Sequence, residues 1–98
     1  MAKITAVLYM KKLNQRDSAH DHLTERLPLP EYYGRNLDAL HDCLTEMDDA
    51  EIVVLDTDQA DGYGERVLQV LSDSALENEG LRLHLTTPLV TDDLTDAF

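Results

Sequence analysis

The chain has 98 residues, 43% of them hydrophobic and 29% charged, with 20 acidic against 8 basic side chains for a formal charge of −12. That length gives one small domain, and the composition is globular rather than disordered or fibrous. An acidic excess of this size repels phosphate backbones and anionic lipid, which argues against direct binding to nucleic acid or membrane and favours a basic partner surface. A single cysteine excludes an internal disulfide, and with no Trp and one Phe the core must be aliphatic. The opening stretch MAKITAVLYMKK has an apolar run too short for a secretion signal or a membrane span, so a cytoplasmic protein is the expectation.

In chain order, residues 4–9 (ITAVLY) form the first strand, a continuous apolar run that suits a strand covered on both faces. The first helix starts at Asp17 or Ser18, with Ser18 and Asp21 at capping-box spacing and Leu23 and Leu27 on its apolar face. Pro28 and Pro30 stop it. A second helix runs from about Asn36 to Met47, where Leu37, Leu40, Leu44 and Met47 recur as one apolar stripe. Asp38, Asp42 and Thr45 fall largely opposite, with His41 at the border. Residues 52–55 (IVVL) are a second continuous apolar strand. The third helix starts near Glu65, after the Gly62-Tyr63-Gly64 turn, and stops at Gly80. Val67, Leu68, Leu71 and Ala75 make its core stripe, while Arg66, Val70, Asp73 and Glu77 line another flank. Residues 81–87 (LRLHLTT) alternate apolar with polar, as an edge strand does. The order β-α-α-β-α-β specifies an α/β fold, a small three-stranded parallel sheet with crossover helices packed on it. Residues 88–98 (PLVTDDLTDAF) read as an acidic C-terminal tail or a weak extra helix after a domain spanning 1–87.

Catalytic chemistry finds little support. Asp38 and Asp42 lie one turn apart, but an acid-base pair of carboxylates needs an apolar pocket to separate its pKa values, and only Tyr32 and Tyr33 are candidate walls. The bland alternative, two solvated acids that repel each other slightly, stays open on spacing alone. His41 and Cys43 diverge by roughly 200° on a helix, as do His20 and His22, so neither pair acts as nucleophile and base or as a zinc clamp. Cys43 reads as a half-buried structural thiol, and Val70 as either an exposed contact or a boundary packing residue. Gly62 and Gly64 are too small a fragment for a phosphate loop. No metal or cofactor is expected.

The stretch LPEYYGRNLDALHDCL, residues 29–44, closely resembles the signature of the barstar family of intracellular ribonuclease inhibitors. ERVLQVL at 65–71 resembles that family's last helix, and weaker similarity covers most of residues 4–87. The resemblance implies a loop and second helix that plug the cationic active site of a small basic microbial ribonuclease, in a 1:1 complex, as an immunity protein does. On that basis Tyr32 stacks against the enzyme's catalytic His side, Asp42 enters the phosphate-binding centre and Asp38 meets a guanidinium. Gly34, Asn36 and Leu37 shape the loop, Thr45 and His41 lie at the margin, and Val70 and Asp73 add contacts from the last helix. Asp42 is therefore expected to be solvent-exposed, and His41 partly exposed and within reach of Asp42, with its imidazolium favoured. Three departures from the family pattern stand out: His41 in place of Trp, Arg35 in place of an acid, and a shortened TDQADGYG segment where an extra short helix is expected to be missing or reduced. The first two allow a second reading, an acidic interaction module of the same fold directed at a different toxin or basic protein.

Overall fold

The computed structural model describes residues 4–87. The elements are β1 (Ile4–Tyr9), α1 (Arg16–Arg26), α2 (Leu37–Thr45), β2 (Ala50–Leu55), α3 (Tyr63–Glu77) and β3 (Leu81–Leu85), with single 3-10 turns at Met10–Lys12 and Thr57–Gln59. The three strands make one parallel sheet in the order β1-β2-β3. Ile4 lies opposite Ala50, and Ala50 opposite Leu81. Both crossovers step in the same direction across the sheet, so right-handed connections bring all three helices to one face. The acidic tail expected at 88–98 lies outside the described residues.

Alternation along the strands follows from this one-sided cover. Ala6 and Leu8 of β1, Ala50, Ile52 and Val54 of β2, and Leu81 of β3 are buried under the helices. The intervening Val7, Val53 and Leu55 are only half-buried. The expectation that the first two strands are covered on both faces is therefore corrected: apolar runs occupy both faces, but the helices lie on one. As expected, β3 is an edge strand, and its pairing reaches one step further through Thr86 N–H to the Val54 carbonyl (3.0 Å). From the helical side Leu23, Leu40, Leu44, Val67 and Leu71 complete one aliphatic core. Val70 joins its margin, half-buried, so the structure selects boundary packing for that residue.

Helix boundaries shift by one to three residues, most at the end of α3, which stops at Glu77 rather than Gly80. The helix α1 begins at Arg16 with Gln15 at its N-cap, and no capping box forms. Ser18 Oγ instead donates to the Lys12 carbonyl (2.8 Å), and Asp21 accepts from Arg35 (2.8 Å). The helix α3 begins at Tyr63, two residues before the expected start, because Gly62 adopts φ +52° and turns the chain directly into it. The extra short helix is reduced to the Thr57–Gln59 turn, which Asn14 clips by donating to the Gln59 carbonyl (2.9 Å) and accepting from Asp61 N–H (2.9 Å).

Candidate functional site

The segment between α1 and α2 is set by its prolines and by one buried histidine. Pro28 and Pro30 keep the chain out of helix after Leu27, and Tyr33 N–H closes a turn on the Pro30 carbonyl (3.0 Å). The two tyrosines then part. Tyr32 stands 89% exposed, whereas Tyr33 turns inward and its hydroxyl meets His20 Nδ1 at 2.6 Å. On the other side of the same ring, Tyr63 Oη lies 2.7 Å from His20 Nε2. A neutral imidazole has one donor and one acceptor, so one hydroxyl donates to His20 while the other accepts. This buried bridge ties the loop to α1 and to the start of α3 at once. Burial holds the His20 pKa below its ordinary value, helped by Arg35 and Arg16, and pushes Tyr33 well above the usual phenol range.

The loop hands over to α2 through Asn36, whose Oδ1 accepts from Ala39 N–H (2.7 Å) as a side-chain N-cap. Gly34 is exposed, and Asn36 Nδ2 reaches back to its carbonyl (3.3 Å). Leu37 packs half-buried against the core and fixes the rotation of the helix. With Leu40 and Leu44 buried, Asp38 and Asp42 must face outward, and both are exposed. Among the described residues neither carboxylate has an ion-pair partner. Asp38 also lies in the first turn, where the helix dipole favours a negative charge. The result is an exposed aromatic ring and two uncompensated carboxylates on a helix held firmly at its start.

Two comparisons with known proteins bear on this surface. Residues 4–87 match the family described as Barstar (barnase inhibitor). The chain belongs to the barstar family. It is also 69% identical over 26 residues to the Bacillus subtilis (strain 168) protein named "Putative ribonuclease inhibitor YrdF". That match spans 26% of this chain and 29% of the length of the relative.

The remaining residues expected in a barstar-family surface take varied places. Thr45 is half-buried, and its hydroxyl donates to the Asp42 carbonyl within the same helix (3.1 Å). Asp73 is half-buried and accepts from Gln69 (2.9 Å). His41 is corrected in its partner: Nε2 meets Glu77 Oε2 of α3 at 3.0 Å. Its imidazolium is favoured as expected, but the Glu77 hydrogen bond is the leading cause and the Asp42 charge a lesser one. Arg35, in the left-handed region at φ +53°, is paired with Asp21 at 2.8 Å, so its charge is balanced locally.

His41 and Cys43 do point to different surroundings, His41 to α3 and Cys43 into a groove beside the loop. Burial, then Glu46 and Asp42, push the Cys43 thiol up, away from a reactive thiolate. His20 and His22 likewise serve different neighbours: His22 Nε2 accepts from Tyr9 N–H (3.0 Å) at the end of β1. No group of three or more potential metal ligands comes together among the described residues. Sequence reasoning missed the roles of His20, Tyr63 and Glu77. For Glu77 the signal was present, since it shares the α3 flank with Asp73. His20 carried only weak family similarity, and nothing local marked Tyr63.

Proposed function

We propose that this chain is a protein inhibitor of a small basic microbial ribonuclease, acting in the cytoplasm of the producing cell as an immunity protein. The observation that carries the reading is the pair of exposed, unpaired carboxylates, Asp38 and Asp42, on the Asn36-capped helix beside exposed Tyr32. A ribonuclease must present a cationic cleft to bind RNA, and two acids one helical turn apart imitate successive phosphates. Tyr32 offers a flat face for a basic ring at the cleft, and Gly34 leaves the loop narrow enough to enter it. Inhibition is then occlusion: the helix start fills the phosphate sites, and one inhibitor blocks one enzyme. Membership of the barstar family supports this reading, as does the name of the Bacillus subtilis relative. The pairing of Arg35 with Asp21 supports a cationic target too, because the one basic departure in the loop no longer projects an unbalanced charge.

The test is inhibition of a purified small basic microbial ribonuclease by the wild type and by Asp42→Ala. Removing one member of a desolvated charge pair leaves its partner uncompensated, so inhibition should weaken by about 3–5 kcal/mol. Because Asp42 is exposed and has no ion-pair partner among the described residues, the melting temperature should not fall. Equal inhibition by the two proteins would remove the anchor of the reading. Capture instead of a different basic toxin from the same host would favour the second reading, the same fold with another target.

A further inference from the structure

Beside the loop, Asp42 and Tyr32 also border a groove of about 570 Å³ whose remaining walls have no part in the proposed binding face. Pro28, Pro30 and Met47 contribute apolar surface, Tyr32 forms one wall, and Glu46 and Asp48 add carboxylates beyond the end of α2. We propose that this groove is a second recognition site, adjoining the Asp38–Asp42 face, which seats an arginine side chain of the protein partner. The inference rests on the reading of the chain as an inhibitor of a basic protein, and it names a distinct element of recognition within that reading.

Four features select the occupant. First, the volume is that of a small-ligand cleft, ample for one side chain. Second, the lining is mixed in the way an arginine is mixed: prolines and Met47 suit the methylene stem, and the acids suit the head. Third, Tyr32 presents an 89% exposed ring, on which a planar guanidinium stacks better than an ammonium. Fourth, Glu46 and Asp48 are exposed and have no ion-pair partner among the described residues, so a forked donor finds two free acceptors. Among the described residues no Lys or Arg lines the groove, and the loop's Arg35 is held by Asp21. Anions and phosphate backbones are excluded by the same carboxylates.

The direct test uses N-acetyl-arginine amide as the probe and two-dimensional NMR of the full chain. The expected result is saturable amide shifts confined to Tyr32, Cys43, Glu46 and Met47, weaker with N-acetyl-lysine amide and absent with the uncharged citrulline analogue. A Glu46→Gln/Asp48→Asn double variant, whose exposed positions leave folding unaffected, should bind the probe roughly tenfold more weakly as its charge-assisted hydrogen bonds are lost. Shifts scattered over all acidic residues, or unchanged in the double variant, would overturn the proposal. The ribonuclease assay separates the two readings. Wild-type inhibition that the double variant retains in full defeats the groove and leaves the inhibitor reading standing. Probe binding at the groove without ribonuclease inhibition does the reverse.

Discussion

Two buried histidines and the half-buried His41 give this protein opposite responses to pH. Burial leads the causes that hold His20 and His22 below their ordinary pKa. His22 is further constrained: Nε2 accepts from Tyr9 N–H, so the proton sits on Nδ1, which is buried without a partner. For both, the unfolded chain takes up a proton near the ordinary value of about 6.5 before the folded one does. Their contribution to stability is therefore complete above that value and is lost as pH falls from it toward the lower folded pKa. Chemical-denaturant midpoints at pH 7.5 and 5.5 should show the loss, at up to about 1.4 kcal/mol per pH unit for each histidine over that window. His20→Gln should flatten the slope, and equal midpoints for the wild type at the two pH values would defeat the account. His41 runs the other way, with a raised folded pKa, so its small contribution is present below about 6.5 and fades as pH rises through the folded value. Histidine ring NMR checks the cause: Glu77→Gln should lower the His41 pKa further than Asp42→Asn does. The reverse order would return Asp42 to the leading role.

The helix that carries the candidate site is secured by an asparagine at each end. Asn36 caps its start from within the loop. At the other end Asn78, just past α3, donates to the Leu44 and Met47 carbonyls (2.9 and 2.8 Å) while its own Oδ1 accepts from Gly80 N–H (3.0 Å). No basic residue occupies the last turn of α2, so this distant side chain supplies what the helix end lacks. Asn78→Ala should cost about 1–3 kcal/mol, since it leaves carbonyls in a partly buried place without donors. Asn36→Ala should cost about 1 kcal/mol through the cap alone, and should also weaken inhibition because Asp38 sits two residues on. Thermal melts of the two variants measure the first quantity, and titrations against the ribonuclease the second. An Asn78→Ala protein with an unchanged melting temperature would show that water serves those carbonyls equally well.

For the molecule as a whole, charge governs encounter more than stability. Arg35, Arg82, His41 and His84 each hold one acid in an exposed pair, and such pairs contribute little to folding. On the proposed reading, the large remaining acidic excess acts at long range on a basic partner. Association rates measured by stopped flow at low and high ionic strength should differ at least about tenfold, the low end of electrostatic steering. A rate indifferent to salt would point to a mainly apolar interface and away from a cationic cleft. The one-sided sheet suits this role: it places α2 and α3 side by side on the same layer, so that acids from both helices share one surface.

Periodicity alone was enough to read three strands, three helices and their order, because an aliphatic stripe repeats every 3.6 residues on α2, apolar runs mark the first two strands and apolar-polar alternation marks the third. The outward direction of Asp38 and Asp42 followed from the same stripe, whereas the Asn36 side-chain cap emerged only in the structure. What escaped depends on partners far apart in sequence. Ser18 and Asp21 have capping-box spacing, yet Lys12 and Arg35 take them instead, and local spacing cannot register that competition. Tyr32 and Tyr33 are neighbours of the same type, and only the approach of His20 and Tyr63 sends one inward and leaves the other exposed. His41 lies next to Asp42 in sequence, but successive residues on a helix point about 100° apart, and the packing of α2 on α3 delivers Glu77 instead. The groove beside Tyr32 has the same origin: its walls come from β1, the loop and the end of α2, and chain folding is what brings them together.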